Sequence, residues 1–298
     1  MAKAIGNGVE LEWDERGDRS HPAVLLIMGL GGQMTRWSEA FMAALVAHGL
    51  RAIRFDNRDV GLSTKFDSHG TPNLTAIGAQ LMVGLKPETA YTLEHMAADA
   101  VAVLDAAGVA RAHVVGASMG GMIAQLVAVE HPERVLTLTS IMSTTGNPAL
   151  PRATAEANAV LMTRPAGSDM ESLIAHGVKA AKVIGSPGYP TDDAVLAERI
   201  RSDAERMHHP AGFARQMAAI MGNGDRRPRL AGVTAPTLVI HGTDDPLVPV
   251  EGGRDTAASI PGARLEEIPG MGHDLPTALI PRITDLIAEH ARRATAPA

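Results

Sequence analysis

The chain alternates short runs of apolar residues with longer stretches in which apolar residues recur every three or four positions. Residues 23–28 are apolar at every position and are followed by glycines, which is typical of a strand buried on both faces. In residues 92–107 the apolar positions are spaced three and one apart, which predicts a helix with one apolar face. The same two patterns predict further strands at residues 51–55, 112–115, 135–141, 236–241 and 264–268, and further helices at residues 37–48, 119–130 and 278–292.

Strands that alternate with helices of about 10–15 residues indicate βαβ units, and therefore an α/β fold with a mostly parallel sheet flanked by helices. The alternation stops after residue 143, and up to about residue 230 the sequence is helical and interrupted by proline and glycine. We therefore predict a core formed by residues 1–143 and 231–298, with a helical lid inserted at residues 144–230. Because open α/β sheets bind ligands at the carboxyl ends of their strands, we expect the lid to cover that edge.

Composition and charge narrow the function classes. Hydrophobic residues make up 45% and charged residues 20% of the 298 positions, which excludes a disordered chain. The net charge of −6 leaves no basic surface for phosphates, so we expect no nucleic-acid partner. The absence of cysteine excludes disulfides, cysteine-bound metals and a thiol nucleophile. No apolar run approaches bilayer length and the start lacks a signal-peptide pattern, so we expect a soluble cytoplasmic protein without a membrane partner.

A candidate nucleophile lies between a predicted strand and a predicted helix. Residues 116–120 read Gly-Ala-Ser-Met-Gly, which fits the G-x-S-x-G pattern of a serine on a tight strand–turn–helix connection. Gly116 and Gly120 leave backbone room around Ser118 where a Cβ atom would clash. The alternative is an ordinary glycine-rich turn with a serine at the helix N-cap. The position of the motif favours the nucleophile.

A serine hydroxyl needs a general base, and a histidine is the candidate for that base. The chain has 12 histidines, and their positions relative to the predicted strands indicate which of them could act on Ser118. His273 follows the last predicted strand in a glycine-rich loop, at the carboxyl edge of the sheet, although a solvated loop histidine is the plainer alternative. His241 ends a predicted strand, and we interpret it as a core histidine or as a support for the site. His208 and His209 are adjacent, so they cannot share a helix face as metal ligands. We expect both on the lid surface, and the alternative is that one of them lines the pocket.

The acid that orients the base is expected directly after the strand at residues 236–241. Asp244 and Asp245 both lie there, and spacing alone does not choose between them. An Asx turn with both carboxylates in water is the alternative. The loop is expected at the same sheet edge as Ser118 and His273, which favours a role at the site.

The glycine-rich stretch after the first predicted strand offers amides for an oxyanion. The backbone N–H groups of Leu30 and Met119 are placed to converge on a carbonyl oxygen bound at Ser118. The alternative is a dinucleotide-binding loop, but Gly29-Leu30-Gly31-Gly32 is not followed by the third glycine of G-x-G-x-x-G.

These pieces in this order resemble the α/β-hydrolase superfamily over nearly the whole chain. The stretches IMGLGG, NRDVGLST, GASMGG and IPGMGHDLP are similar to the branch that contains aclacinomycin methylesterase and related lid-bearing esterases. The resemblance implies Ser118 as nucleophile, His273 as base and Asp245, rather than Asp244, as acid. It also implies a structural role for Asp56 and Arg58 in the D-x-R-x-x-G-x-S turn. Many relatives have His-Gly where this chain has Met28-Gly29, and a backbone donor tolerates that change.

The nucleophile decides among reactions on this fold. Epoxide hydrolases and haloalkane dehalogenases of the superfamily use aspartate at this turn, so Ser118 favours acyl transfer. We predict a carboxylic ester hydrolase for small to medium apolar esters, with an acyl-enzyme intermediate and with water as the second substrate. Polyketide methyl esterases, serine perhydrolases and carbon–carbon bond hydrolases share this apparatus. A non-catalytic, receptor-like ligand-binding protein is the alternative outside enzymes.

The expected pocket is apolar and adaptable, because 15 methionines stand against eight aromatic residues. The candidate lining residues are Met34, Met142, Met162, Met207 and Met221. Core packing is the alternative for each of them. We expect no metal and no cofactor, and the sequence gives no oligomeric state.

Overall fold

One eight-stranded sheet runs through the part of the chain that the computed structural model describes, residues 2–6 and 8–295. Positions 1, 7 and 296–298 of the predicted core lie outside the described residues. The strands are β1 (Ala2–Gly6), β2 (Val9–Arg16), β3 (Ala23–Ile27), β4 (Arg51–Phe55), β5 (Ala112–Ala117), β6 (Val135–Ile141), β7 (Thr237–Gly242) and β8 (Arg264–Ile268). Their order is β1-β2-β4-β3-β5-β6-β7-β8. The pairs β1–β2 and β2–β4 are antiparallel, and the others are parallel.

Helices connect the strands and cover the sheet. They are α1 (Glu39–Ala47), α2 (Leu74–Met82), α3 (Leu93–Ala106), α4 (Met119–Glu130), α5 (Ala155–Met162), α6 (Met170–Ile184), α7 (Asp193–Arg206), α8 (Pro210–Asn223), α9 (Arg227–Leu230), α10 (Glu251–Ser259) and α11 (Ile280–Thr295). Capping residues in the local sequence determine where two of these helices begin. Ser38 and Thr92 accept hydrogen bonds from backbone amides in the first turns of α1 and α3.

Both faces of the sheet are buried, which explains the uninterrupted apolar runs. On one face, Ala112 and Val114 of β5 belong to an apolar cluster with residues of α3 and α4. On the other face, Val115 and Ala117 belong to a cluster with residues of α1 and α11. Successive strand side chains point to opposite faces, so a strand covered on both sides is apolar throughout. The α/β fold with a mostly parallel sheet flanked by helices, which the sequence predicts, is confirmed.

The sequence pattern does not predict β1, β2, α2 or α10. The β1–β2 hairpin at the sheet edge exposes one face: Ile5 is 81% exposed, and Lys3 forms ion pairs with Glu10 and Glu12. The second and third residues of α10 are the consecutive glycines Gly252 and Gly253, which lower helix propensity. Tertiary packing explains Gly253, because a Cβ atom there would lie 2.5 Å from Nδ1 of His241 on β7.

The segment between β6 and β7, residues 144–230, contains α5 to α9 and is tied to the rest of the chain by a buried ion pair. Arg215 on α8 donates from Nε and Nη2 to the two carboxylate oxygens of Asp59, at 2.7 and 2.8 Å. Tyr91 also donates to Asp59, at 2.7 Å. Burial alone would raise the pKa of Asp59, but hydrogen bonds from Arg215, the Phe66 amide and Tyr91 outweigh it and leave the pKa below its usual value.

A second tie joins α7 to the loop after β3. Arg206 at the end of α7 forms an ion pair with Asp56 at 2.7 Å and donates to Gln33 Oε1 at 2.6 Å. Gln33 donates in turn to the backbone carbonyl of Asp203 at 2.6 Å, and Arg36 forms an ion pair with the Asp203 carboxylate. These contacts hold α7 against the residues that follow β3 and, through Asp56, against the residues that follow β4.

The adjacent histidines at the start of α8 differ in placement. His208 is exposed, as expected for a surface residue. His209 Nε2 lies 2.9 Å from Arg215 Nη2 and 3.1 Å from Asp67 Oδ1, so the expectation of a surface position is wrong for His209. The ring contacts Arg215 and Asp67, and the sequence alone gives no sign of either contact.

Replacement of Arg215 tests how strongly the 144–230 segment depends on its buried ion pair. The variant Arg215→Met leaves the buried Asp59 carboxylate without its cation, so we expect a loss of roughly 3–5 kcal/mol in the free energy of unfolding. The control Arg227→Met breaks an exposed pair with Asp225 and should cost less than about 1 kcal/mol. Guanidinium denaturation measures both, and equal losses would contradict the special role of Arg215.

Candidate active site

The turn between β5 and α4 holds Ser118 in a strained backbone conformation. Its φ is +56° and its ψ is −121°, a region that non-glycine residues rarely adopt. A Cβ atom at Gly116 would lie 2.0 Å from the Gly120 carbonyl oxygen, and a Cβ atom at Gly120 would lie 2.0 Å from the Ile27 carbonyl oxygen. Both glycines are therefore required by the close approach of the backbone, and the half-buried Ser118 side chain remains reachable at the strand end.

The structure brings Ser118 and His273 together although 155 residues separate them. His273 Nε2 lies 2.9 Å from Ser118 Oγ, and His273 Nδ1 lies 2.7 Å from Asp245 Oδ2. Because an ionised carboxylate can only accept, Nδ1 carries the imidazole proton toward Asp245. In the neutral imidazole Nε2 then accepts, so the Ser118 hydroxyl donates to His273. The three groups form one chain of hydrogen bonds.

Asp245 is buried and kept ionised by its surroundings. Burial would raise the pKa of Asp245, but His273, the His241 side chain and the Val248 amide together hold it well below its usual value. Asp245 Oδ1 accepts from the Leu247 and Val248 amides at 2.9 and 2.8 Å. These bonds fix the carboxylate so that its other oxygen faces the imidazole.

Asp244 and His241 lie beside this arrangement without contact to Ser118 in the described hydrogen bonds. The exposed Asp244 carboxylate accepts from the Thr243 hydroxyl at 2.6 Å and from the Gly270 amide at 2.9 Å. The fully buried His241 ring has Nε2 2.8 Å from the Val248 carbonyl and 3.5 Å from Asp245. His241 thus packs behind the acid, which agrees with its interpretation as a supporting core residue.

The loop after β3 lies directly beside the turn of Ser118. β3 and β5 are neighbours, with Ile27 paired to Gly116. Gly29 is packed so closely that a Cβ atom there would lie 3.0 Å from Ser118 Cβ and 3.5 Å from Ser118 Oγ. The backbone of this loop can approach the serine only because glycine occupies the position.

Two amides in these turns are available to an acceptor. Among the hydrogen bonds of the described chain, neither the Leu30 amide nor the Met119 amide is a donor. The next amide of the loop, Gly31, donates to Gln216 Oε1 on α8 at 2.8 Å. The loop is thereby held in place from the 144–230 segment, a contact that no local sequence pattern indicates.

The five methionines predicted as pocket lining are spread over the structure. Met34 and Met142 are buried, with 1% and 5% of their surface exposed. Met162 and Met207 are exposed to 50% and 37%. Met221 is half-buried on α8 and faces α2. Their role in a common pocket stays a prediction.

Residues 184–188 support the loop of His273, and sequence analysis did not find them. The His273 amide donates to the Ile184 carbonyl at 2.7 Å. The Ser186 hydroxyl donates to the Asp274 carboxylate at 2.5 Å and accepts from the Gly272 amide at 2.9 Å. Burial raises the pKa of Asp274 above its usual value despite the Ser186 hydrogen bond. The loop is thus fixed on both sides of the imidazole.

Together these residues present a hydroxyl, an imidazole, a carboxylate and free amides at one sheet edge. Such a set can transfer a proton, form a covalent bond to an electrophilic carbon and hold a developing negative charge. Within residues 2–6 and 8–295, no three histidine, aspartate or glutamate side chains are grouped so that they could hold a metal ion. No helix of that part combines the length and the apolar character needed to cross a bilayer.

Two known proteins are similar to this chain over nearly its whole length. In an alignment of 307 positions, the chain is 33% identical to a rhodomycin D methylesterase of a Streptomyces species. The alignment covers 95% of each chain. It is 32% identical to the rhodomycin D methylesterase of Streptomyces peucetius, covering 98% of this chain and 99% of that protein. Putative carbamate hydrolases and non-heme bromoperoxidases match at 26–30% identity.

Solved structures share the fold at low sequence identity. An enol-lactonase from Burkholderia xenovorans has a TM-score of 0.70 at 24% identity, covering 97% of this chain and 99% of that one. A meta-cleavage product hydrolase from Pseudomonas fluorescens has a TM-score of 0.75 at 19% identity, covering 99% and 98%. The family model of the alpha/beta hydrolase fold matches residues 22–167. With full-length relatives above 30% identity, the chain belongs to the α/β-hydrolase family.

Proposed function

We propose that this protein is a carboxylic ester hydrolase that uses Ser118, His273 and Asp245 as a catalytic triad. The observation that carries the proposal is the hydrogen-bond chain from Ser118 Oγ to His273 at 2.9 Å and on to Asp245 at 2.7 Å. The surroundings of Ser118 also support it, because the strained turn presents the hydroxyl beside the Leu30 and Met119 amides, which donate no hydrogen bond within the described chain. Small to medium apolar esters are the proposed substrate class.

Acylation begins with the attack of Ser118 Oγ on the ester carbonyl carbon. His273 Nε2 takes the hydroxyl proton, and the Asp245 carboxylate stabilises the imidazolium that forms. The carbonyl oxygen becomes an oxyanion that accepts hydrogen bonds from the Leu30 and Met119 amides. The intermediate collapses, the bond to the alcohol oxygen breaks, and His273 returns the proton to the departing alcohol.

Deacylation repeats these steps with water as the nucleophile. His273 takes a proton from water as its oxygen attacks the acyl carbon, and the two amides again hold the oxyanion. The bond to Ser118 Oγ then breaks, and the proton on His273 returns to the serine. The carboxylic acid leaves, and no cofactor is consumed.

The 144–230 segment is proposed to be the lid of the substrate site. α8 contacts the loop of Leu30 through Gln216, and residues 184–188 contact the loop of His273. Both ends of the proposed triad region are therefore bordered by this segment. The methionines of the segment, Met162, Met207 and Met221, remain proposed contacts for an apolar substrate.

A polyketide methyl ester is the second candidate for the substrate. Two relatives that are more than 30% identical to nearly the whole chain are named rhodomycin D methylesterases. In that case methanol is the alcohol released by acylation. Purified polyketide methyl esters and simple apolar esters can be compared in one assay, and kcat/KM decides between the two classes.

Selective labelling tests whether Ser118 is the nucleophile. We expect a fluorophosphonate probe to label the wild-type protein once, at Ser118, and Ser118→Ala to lose labelling. Hydrolysis of p-nitrophenyl esters should fall on the order of 10⁵-fold in that variant, because the covalent route is removed. The exposed control Ser68→Ala should keep both. A wild-type protein with neither labelling nor turnover would be a binding protein, and the proposal would fail.

The two adjacent aspartates provide a matched test of the acid. Asp245→Asn replaces the acceptor of the imidazole proton, favours the wrong tautomer and should lower kcat on the order of 1,000-fold or more. Asp244→Asn changes a carboxylate that contacts Thr243 and the Gly270 amide, so we expect less than a roughly tenfold loss. The melting temperature serves as a control for folding. Equal losses of kcat at both positions would overturn the assignment of Asp245.

A further inference from the structure

The imidazole of His241 is enclosed behind the acid of the candidate site. His241 lies on β7, four residues before Asp245, and none of its surface is exposed. A Cβ atom at Gly253 on α10 would lie 2.5 Å from His241 Nδ1 and 2.9 Å from its Cγ, so the backbone of α10 packs directly against the ring. The ring therefore cannot turn away from the loop that follows β7 unless α10 also moves.

The contacts of the two ring nitrogens determine which of them carries the proton. His241 Nε2 lies 2.8 Å from the Val248 carbonyl oxygen and 3.5 Å from Asp245 Oδ2. Both neighbours can only accept, so Nε2 carries a proton and donates it to Val248. Nδ1 is buried and has no partner among the described residues, and a second proton there would be a buried donor without an acceptor. The ring is therefore neutral, and its one N–H is directed at Val248 and Asp245.

The hydrogen bond from His241 completes a circuit of contacts around the Asp245 carboxylate. Val248 accepts from His241 through its carbonyl oxygen and donates through its amide to Asp245 Oδ1 at 2.8 Å. Asp245 Oδ2 lies between two imidazoles, 2.7 Å from His273 Nδ1 and 3.5 Å from His241 Nε2. Loss of the His241 N–H would therefore loosen the loop that orients Asp245 and remove a dipole from beside Oδ2.

The other charged groups near His241 are paired elsewhere. Glu267, the residue of β8 in register with His241, forms an ion pair with Arg254 of α10 at 2.7 Å. His273 contacts Asp245 and has no described hydrogen bond to His241. A buried ring nitrogen without a partner is unfavourable, so the structure requires a reason for histidine at this position.

We propose that His241 is a positioning residue, whose single N–H fixes the Asp245 carboxylate and limits how strongly that carboxylate stabilises protonated His273. The inference rests on the proposed ester hydrolysis. It goes beyond core packing because it assigns His241 an effect on the general base.

Asparagine and glutamine provide a matched test, because their amide nitrogens replace different ring nitrogens. The glutamine nitrogen reaches the position of Nε2, whereas the shorter asparagine places its nitrogen near the position of Nδ1. We expect His241→Asn to lower kcat roughly 10- to 100-fold and to change KM less than about threefold. His241→Gln should stay within about fivefold of the wild-type kcat. Equal losses of kcat in the two variants would overturn the proposal.

The pH dependence of kcat/KM distinguishes this role from a loss of packing. Burial raises the pKa of Asp245, whereas His273, the His241 side chain and the Val248 amide lower it. Without the His241 N–H the pKa of Asp245 rises, the carboxylate stabilises the imidazolium of His273 more strongly, and a higher pH is needed to form the neutral base. His241→Asn should move the acidic limb upward by about 0.5 pH unit or more, and His241→Gln by less than about 0.2. An unmoved limb in His241→Asn would contradict the proposal.

His113→Asn is the control for the loss of a buried imidazole. His113 is 1% exposed near the start of β5, and its Nδ1 lies 2.9 Å from Thr137 Oγ1. We expect a lowered melting temperature with kcat and the acidic limb unchanged. In the Asp245→Asn background, His241→Asn should lower kcat less than about threefold further, because its effect passes through Asp245. An undiminished loss in that background would show a purely structural role.

A measurement without turnover separates this inference from the proposed reaction. The proton between His273 Nδ1 and Asp245 is expected to give a low-field ¹H NMR signal, and its change with pH follows the protonation of His273. The midpoint of this titration should rise in His241→Asn and stay near the wild-type value in His241→Gln. A protein that hydrolyses no ester but shows this difference would refute the reaction and retain the role of His241. Equal midpoints in both variants would overturn that role.

Discussion

Close backbone packing around Ser118 is the constraint on which the site depends. A positive φ at a non-glycine residue costs on the order of 1–3 kcal/mol and persists only when its surroundings impose it. Here β3, β5 and α4 approach so closely that Gly116 and Gly120 cannot carry a Cβ atom without meeting backbone oxygen at 2.0 Å. The same packing presents the hydroxyl and brings the loop of Leu30 beside it. The position of the hydroxyl and the close approach of this loop therefore have one structural origin.

Much of the sheet and of the triad region could be predicted because its determinants are local. The strands Arg51–Phe55, Val135–Ile141 and Arg264–Ile268 begin and end at the residues that the sequence predicts. The helix Met119–Glu130 follows its glycine-rich turn in the same way. The meeting of Ser118 with His273 could be inferred because parallel strands bring their carboxyl ends to one edge of the sheet.

The remaining features could not be predicted because they arise from contacts distant in sequence. The β1–β2 hairpin has a mixed apolar and charged pattern that suits an exposed sheet edge but gives no strong period. The inward position of His209 depends on Asp59 and Asp67, which come from another part of the chain. The same holds for Ser186, which reaches Asp274 across 88 positions. Such pairings become visible only after the helices between β6 and β7 are placed.

The contact between Gln216 and the glycine-rich loop has a consequence for redesign. Its carbonyl oxygen holds the Gly31 amide, and its nitrogen donates to the Arg58 carbonyl, both at 2.8 Å. Substitution of Gln216 therefore removes both hydrogen bonds and releases the loop that carries the Leu30 amide. Directed evolution toward a broader range of substrates is better started on α6, because the described side chains of α6 are all at least partly exposed to solvent.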